Sequence, residues 1–384
     1  MPEFTHLPVS ATLEGYEEQA NRLLAGHQAG DPEAIGILHR THPRFLDDKV
    51  TWLPRTLSDD EIRVTSLGID DARLSLARAY SFRDWDALRQ LVTEVGKARS
   101  RVHAFEYAVE AVIGGEVDAL AQMIRDDPYL LHARSTRVTS HDPPVHGATL
   151  LHYLAANGVE GYRQVAPPNG PEVARVLLEA GAEVDALAGM YGGGSTTLSM
   201  LVSSTPPSLA GTQIPLLHVL LDHGAEIEGQ GDTRWRNPLM TALVFGFRDA
   251  AEALVARAAR IRDLAAAAGL GRLEECRTLL PTADAETRHR ALALAVQLGH
   301  IDVVRLLLDA GEPVDRFNPD GLHAHGTLLH HAAGSGHLAI VQLLVERGAR
   351  TDIRDALWKG TPLGWARHGE HRDVAAYLTE RTPP

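Results

Sequence analysis

The sequence predicts an all-α fold, a solenoid of stacked helix pairs with a helical cap at the N-terminal end. One pattern returns along most of the 384 residues: a Thr-containing start, an Ala-rich segment, a Gly turn, a Leu-rich segment and Gly-Ala. The apolar positions in each copy follow helical rather than alternating spacing. Glycines stand where one helix must end and the next begin. These three observations together predict the fold class.

Composition and charge narrow the class of protein. Hydrophobic residues make up 44% and charged residues 23% of the chain, which is typical of a folded protein. The formal charge of −13 argues against a nucleic-acid partner, because such binding needs clustered Lys and Arg. No long apolar run predicts a membrane span, and the N-terminus does not read as a signal peptide. Cys276 is the single cysteine, so disulfides and zinc fingers are excluded and a cytoplasmic location is expected.

The first hundred residues differ from the rest and are predicted to form a separate N-terminal helical leader, 1–100, before a repeat array over 101–384. Pro32–Leu46 predicts a short helix pair, Trp52–Asp60 a loop, and Ile69–Val95 two helices joined by a Phe-Arg-Asp-Trp turn. A stack of repeats must end in a unit with one polar face. We therefore expect the leader to cap the open end of the array.

The clearest copy of the repeated pattern is Gly326–Asp352, which reads GTLLHHAAGSGHLAIVQLLVERGARTD. Its second half places Leu, Ile and Val at helical spacing, and Gly336 with His337 breaks the copy into two short helices. Gly348 stands where a helix needs a left-handed cap. Helices of roughly ten residues are too short to be stable alone, so each pair must stack on its neighbours.

These residues resemble the ankyrin repeat, a unit of roughly 33 residues with a Thr-Pro-Leu-His start and two antiparallel helices. The resemblance implies an ankyrin-repeat solenoid with short finger hairpins between successive helix pairs. Roughly eight copies follow one another to the C-terminus: Phe105–Leu131, Thr149–Asp185, Thr197–Glu228, Asn237–Ala259, Leu264–Leu280, Ala291–Asp315, Gly326–Asp352 and Gly360–Leu378. The resemblance implies that the Thr and His of the start motif hydrogen-bond the turn before the first helix. His152 and His330 are accordingly expected to be structural.

Two copies carry Pro/Gly-rich inserts between their helices, at Gly158–Glu172 and Ser203–Gln213, and both are expected to project as loops. The stretch Tyr191–Leu201 brings three glycines into a helix start. It lacks the Gly-Lys-Ser/Thr of a phosphate-binding loop, so a finger is predicted there. The inserts and this finger resemble those of bacterial ankyrin-repeat proteins.

The resemblance also implies that finger tips and the exposed edges of first helices line a concave surface that selects a partner. Aromatic residues and Arg are the types that anchor protein interfaces. The residues predicted to bind a partner are Tyr153, Asn157, Tyr191, Arg234, Trp235, Arg236, Phe245, His323, His325, His331, Trp358 and Trp365. The predicted function is noncatalytic binding of another protein, whose identity the sequence does not give.

Two alternatives remain open at this stage. The inserts could fold over the groove and create a pocket for a small molecule or substrate, with His152, Glu160 and Tyr162 as candidate catalytic residues. The histidines around His323 and His325 could hold a transition metal if their rings point to one side. The main prediction includes neither a metal nor a cofactor.

Overall fold

The computed structural model describes residues 5–48, 50–156, 158–230 and 236–381, with the side chain of Tyr191 left out. The chain forms two compact units, Met1–Arg236 and Asn237–Pro384. The predicted division at residue 100 rests on sequence pattern and stays a prediction. No helix in the described ranges is both long and apolar enough to cross a membrane.

The first unit begins with a leader of five helices and continues with the first repeats. The leader helices are α1 (Leu13–Ala29), α2 (Pro32–Thr41), α3 (Asp59–Arg63), α4 (Ile69–Ala79) and α5 (Trp85–Val95). The following helices are α6 (Arg101–Gly114), α7 (Val117–Asp126), α8 (Leu150–Leu154), α9 (Gly170–Glu179), α10 (Thr197–Leu201), α11 (Thr205–Leu209) and α12 (Gln213–Asp222). Short 3-10 turns occupy Pro43–Phe45, Pro128–Leu131, Gly161–Arg163 and Met190–Gly192.

Within residues 237–381, the second unit has five helix pairs. They are α13 (Pro238–Val244) with α14 (Arg248–Ala256), α15 (Leu264–Gly269) with α16 (Leu273–Leu279), α17 (Ala285–Leu298) with α18 (Ile301–Asp309), α19 (Leu328–Gly334) with α20 (Leu338–Glu346), and α21 (Pro362–His368) with α22 (Arg372–Thr379). A 3-10 turn at Leu280–Thr282 follows α16. The all-α repeat fold predicted from the sequence is confirmed.

The leader has its own hydrophobic core. The apolar faces of its helices meet around Leu38, Leu76, Tyr80 and Leu88, each almost completely buried. Half-buried side chains from the repeats, including Tyr162, pack against this core. Of the short helix pair predicted over Pro32–Leu46, α2 is present, but the second helix is only the 3-10 turn Pro43–Phe45. The two helices predicted within Ile69–Val95 are present. The longest helix of the leader, α1, was not predicted.

A recurring hydrogen bond joins successive repeats of the second unit. The Nε2 atoms of His300, His337 and His371 lie 2.9, 3.0 and 3.0 Å from backbone carbonyls of the preceding repeat. Each ring lies over a glycine turn of that repeat, and a Cβ on Gly336 would lie 2.5 Å from the ring of His371. Gly336 has φ of 73°. The turn therefore requires glycine both for its backbone conformation and for the close approach of the histidine ring.

The fingers are short and irregular. Isolated antiparallel bridges join Ala188 to Ser195 and Phe317 to Thr327, and no longer strand occurs in the described part of the chain. The insert at Ser203–Gln213, expected to be a loop, contains the short helix α11. Pro206 and Pro207 stand in its first turn, where proline is compatible with a helix because those N–H groups have no intrahelical acceptor.

Candidate functional site

Five of the predicted partner-binding side chains come together on two neighbouring fingers and the helices behind them. The ring of His325 lies 4.7 Å from that of Trp358 and 5.5 Å from that of Trp365, measured between centroids. His323 lies 4.8 Å from His331 and 5.6 Å from His325. The backbone N–H of Ala356 donates to the carbonyl of His325 at 2.8 Å, which joins the two fingers. We call these five residues, His323, His325, His331, Trp358 and Trp365, the finger cluster.

A buried carboxylate fixes the finger that carries Trp358. Asp355 is fully buried, and its Oδ1 accepts from the backbone N–H groups of Leu357 and Trp358 at 2.9 and 2.6 Å. Its Oδ2 accepts from the N–H of Gly360 at 2.8 Å and from the indole of Trp365 at 3.1 Å. Burial alone would raise the pKa of Asp355, but these hydrogen bonds outweigh it and lower the pKa. The finger is therefore held by a permanent negative charge at neutral pH.

The finger cluster has an exposed side and a buried side. Trp358 is 51% exposed and Leu357 41% exposed, and His323 is also exposed. Trp365 and His325 are half-buried. His331 is buried, and burial together with the neighbouring histidines lowers its pKa to about 3. The histidine rings nearest the tryptophans are thus neutral at pH 7, and the exposed part of the cluster is aromatic and apolar.

The remaining predicted partner-binding residues lie elsewhere. Arg236 is exposed in the first unit, and Phe245 is 48% exposed in the second. The prediction that Tyr153 faces a partner is wrong, because its side chain is fully buried and its hydroxyl donates to Glu160 at 2.7 Å. The predictions for Asn157, Arg234 and Trp235, and for the side chain of Tyr191, lie outside the described residues.

The structural role expected for His152 and His330 is confirmed. In each case Nδ1 accepts from the backbone N–H of the Thr three residues earlier, at 3.2 Å for Thr149 and 3.1 Å for Thr327. The proton then resides on Nε2, which donates to a carbonyl of the next finger, Ser195 at 3.1 Å and Gly360 at 3.2 Å. Both ring nitrogens are used in holding the fold.

Glu160, a candidate catalytic residue, belongs to a buried network of charges. Its Oε1 accepts from His146 at 2.9 Å and from Tyr153 at 2.7 Å, and its Oε2 lies 3.2 Å from Arg163 and 3.4 Å from Arg137. Burial would raise the pKa of Glu160, but Arg137, the hydrogen bond from His146 and Arg163 hold it well below its usual range. Glu160 therefore stays a carboxylate that neutralises the two guanidinium groups.

Glu106 completes the network from α6. Its Oε2 lies 2.8 Å from Nη2 of Arg137 and 2.8 Å from Nη2 of Arg163, and Arg163 reaches Glu110 at 2.7 Å. The side chains of Glu106, Arg137 and Arg163 are no more than 4% exposed. Two repeats are thus tied together by ion pairs that water cannot screen.

The three candidate catalytic residues do not form an acid–base set. His152 is committed to the start of α8, and burial lowers its pKa to about 4. Burial raises the pKa of Tyr162 to about 12. An acid–base catalyst works best with a pKa near the working pH, and neither these two groups nor Glu160 fits that condition.

Two concave features lie in the first unit. The two inserts meet at a shallow cleft of about 150 Å³, lined by Ala156, Gly158, Gln164, Met200, Ser203 and Pro206 among others. Neither His152 nor Glu160 lines it, so the pocket expected between the inserts is separate from the proposed catalytic residues. A second cavity, of about 220 Å³, lies against the leader and is lined by Tyr162, Arg137 and Arg163 together with apolar side chains.

No group of three His, Cys, Asp or Glu side chains within the described ranges is arranged to hold a metal ion. The histidines of the finger cluster therefore have no metal-site geometry there. Sequence reasoning missed Asp355, although Asp is typical of turns in which its side chain accepts from the backbone N–H two residues on, as it does here from Leu357. It also missed Arg137 and Glu106, which lie 31 residues apart and carry no common motif.

The model of the family "Ankyrin repeats (many copies)" matches residues 289–345. The chain is 38% identical over 120 residues to human "Cyclin-dependent kinase inhibitor 2A", an alignment covering 30% of this chain and 74% of that protein. It is 37% identical over 123 residues to human "Cyclin-dependent kinase 4 inhibitor B", covering 31% and 86%.

A longer alignment joins the chain to the Caenorhabditis elegans "Ankyrin repeat and KH domain-containing protein mask-1". It is 29% identical over 295 residues and covers 74% of this chain but 10% of that protein. All three relatives come from animals, so the resemblance of the inserts to bacterial proteins stays a prediction.

Proposed function

Because the chain belongs to the ankyrin-repeat family, we propose that it is a noncatalytic protein-binding module that holds its partner on the concave face, with the finger cluster as an anchor. The observation that carries the proposal is the exposure of Trp358 on a finger that is otherwise firmly held. An exposed tryptophan beside further aromatic rings is the kind of residue on which binding energy concentrates.

The fixed geometry of the finger supports the same conclusion. Asp355 accepts four hydrogen bonds, so the backbone on both sides of Trp358 is already ordered before any partner arrives. A preordered side chain loses little conformational entropy on binding.

The relatives favour a protein as the class of partner. Two of them are named as inhibitors of cyclin-dependent kinases, which are themselves proteins. The alignments cover about a third of this chain, so the proposal takes from them only the class of partner and not its identity.

Affinity capture with matched tryptophan variants tests the proposal. The full chain, Trp358→Ala and Trp52→Ala are immobilised, and captured proteins are quantified by mass spectrometry from one lysate. Trp52 is the control because it is 69% exposed and lies in the leader. We expect one saturable partner that is lost with Trp358→Ala and kept with Trp52→Ala, and whose purified form binds the full chain directly.

Melting temperatures of the three proteins accompany the capture, because loss of binding through unfolding would not concern the interface. We expect Trp358→Ala to melt within a few degrees of the full chain, since a half-exposed side chain contributes little packing. A partner captured equally by all three proteins would contradict the assignment of Trp358 as an anchor.

A further inference from the structure

The cavity of about 220 Å³ in the first unit lies where the leader meets the repeats. Its walls are mostly apolar and come from Tyr16 of α1, Phe82 of the turn before α5, Val92 and Val95 of α5, and Ile113 of α6. Protein interiors are otherwise close-packed, with few voids larger than a water molecule. An engineered apolar cavity of about 150 Å³ is large enough to hold benzene. This cavity has room for a substituted ring.

An N-terminal segment covers one side of the cavity. The backbone N–H of Leu7 donates to the hydroxyl of Tyr80 at 2.6 Å, and Gln19 donates to the carbonyl of Thr5 at 2.9 Å. The ring of His6 stacks on that of Tyr162 with centroids 5.0 Å apart. Hydrogen bonds to α1 and to the end of α4 thus hold the N-terminal segment in place over the cavity. The cavity therefore has a well-defined wall on this side.

Arg137, Arg163 and Glu110 form the polar end of the cavity. The side chain of Arg137 is 4% exposed, and its Nη2 donates to Glu106 while its guanidinium lies 4.7 Å from the ring centroid of Phe82. Its Nη1 is buried and has no hydrogen-bond partner among the described residues. An unpaired buried donor costs free energy, which a hydrogen-bond acceptor brought within reach of it would recover.

The charges around this end determine what kind of acceptor is suitable. The two guanidinium groups of Arg137 and Arg163 face three carboxylates, those of Glu106, Glu160 and Glu110, within ion-pair distance. The cluster therefore has no surplus positive charge with which to attract an anion. A neutral acceptor, such as a carbonyl oxygen, can take the hydrogen bond without adding a fourth negative charge.

We propose that this cavity binds an uncharged, mostly apolar small molecule that carries one hydrogen-bond acceptor, with the acceptor against Arg137 and the apolar part among the leader side chains. The site is distinct from the finger cluster, which lies in the other compact unit. It gives the chain a ligand-binding function besides the proposed binding of a protein.

Three probes of nearly equal size test the proposal on the full chain: acetophenone, which is neutral with an acceptor, cumene, which has none, and benzoate, which is charged. Binding is measured by ligand-observed NMR titration. We expect saturable binding of acetophenone, about tenfold or more tighter than that of cumene, because the hydrogen bond is made to a charged donor. We also expect benzoate to bind at least about tenfold more weakly than acetophenone.

Two valine variants locate the binding. Val92→Phe places a ring in the cavity and should abolish acetophenone binding. Val176→Phe is the matched control, a half-buried valine on α9 that does not line the cavity, and should leave binding unchanged. If Val92→Phe lowers the melting temperature strongly, Ile113→Trp on α6 serves as the filling variant.

Arg137→Lys tests the polar end, because lysine keeps the charge but cannot place a donor where Nη1 lies. Acetophenone should lose its advantage over cumene in this variant. The proposal is overturned if acetophenone does not saturate the full chain, if it binds equally to the filling variant, or if benzoate binds more tightly than acetophenone. These three outcomes do not depend on how well Arg137→Lys folds.

Discussion

The indole Nε1 of Trp365 donates a hydrogen bond of 3.1 Å to Oδ2 of Asp355, ten residues before it. This contact joins the start of α21 to the finger that displays Trp358, because the same carboxylate also accepts from the finger backbone. One buried side chain thus couples the last helix pair of the array to the geometry of the proposed interface. The order of the finger and the stability of the last helix pair therefore both depend on Asp355.

Asp355→Asn should lower the free energy of unfolding by about 1–3 kcal/mol. The amide replaces one acceptor oxygen by an NH₂ group, which faces N–H donors of Gly360 and Trp365 or of Leu357 and Trp358. At least two donors then lose their acceptor. Urea unfolding of the full chain, followed by tryptophan fluorescence, measures the change.

Asp352→Asn is the matched control for that experiment. Asp352 is exposed, and its carboxylate pairs with Arg350 at 3.0 Å in solvent. Exposed pairs of this kind contribute little to stability, because water and salt screen the two charges. Equal effects of the two substitutions would show that Asp355 does not hold the finger as its hydrogen bonds indicate.

Glu160→Gln should destabilise the first unit by about 3–5 kcal/mol, because it leaves two buried guanidinium groups with less compensating charge. It also removes a charged acceptor from His146 and Tyr153. Chemical denaturation with a probe of the first unit, such as the fluorescence of Trp85, measures the effect.

The comparison for Glu160 is Glu274→Gln. Glu274 is 80% exposed and lies 3.0 Å from Arg277 one helical turn away. We expect a change of less than about 1 kcal/mol for this exposed pair. A similarly small loss for Glu160→Gln would mean that water reaches the buried network and screens its charges.

The contact of each structural histidine with its Thr could be expected from the resemblance to the ankyrin repeat, because that contact is local. His152 and His330 each bond a Thr three residues earlier, and the start of a helix fixes that spacing. The repeated helix pairs are predictable for the same reason, since each copy carries its own apolar spacing and glycine turns.

The buried charge network could not be predicted in this way. Glu106 and Arg137 lie 31 residues apart, and their meeting depends on how one repeat stacks on the next. Tyr153 illustrates the same limit. Its neighbours in sequence suggest an exposed position on a first helix. In the structure, however, its hydroxyl donates a buried hydrogen bond to Glu160, seven residues later. Spacing within a helix does not reveal which face an insert will cover.

Acidification should destabilise the fold because buried histidines must take up protons on unfolding. The pKa of His331 is lowered from an ordinary value of 6.5 to about 3, and that of His152 to about 4. Between these values and pH 6.5 the unfolded chain binds more protons than the folded one. The stabilising contribution is therefore fully present above pH 6.5 and is lost progressively as the pH falls, by up to about 1.4 kcal/mol per pH unit for each group.

His331→Gln tests this linkage, because glutamine does not titrate. The free energy of unfolding is measured from pH 6.5 to pH 5, where most carboxylates stay ionised in both states. His331→Gln should be less stable than the original chain at pH 6.5, since it changes a packed ring facing His323 and His325. As the pH falls, the free energy of unfolding of His331→Gln should decrease less steeply than that of the original chain. The difference in slope should correspond to about one proton fewer taken up on unfolding.

His368→Gln removes an exposed imidazole from α21 and provides the control. A buried ring that titrates changes the slope of the free energy of unfolding against pH. A ring that only packs changes the free energy of unfolding by the same amount at every pH. If His331→Gln keeps the full slope, then His331 takes up its proton in the folded state as readily as in the unfolded chain. The ring would then have access to water, and the exposed side of the finger cluster would extend deeper than its burial indicates.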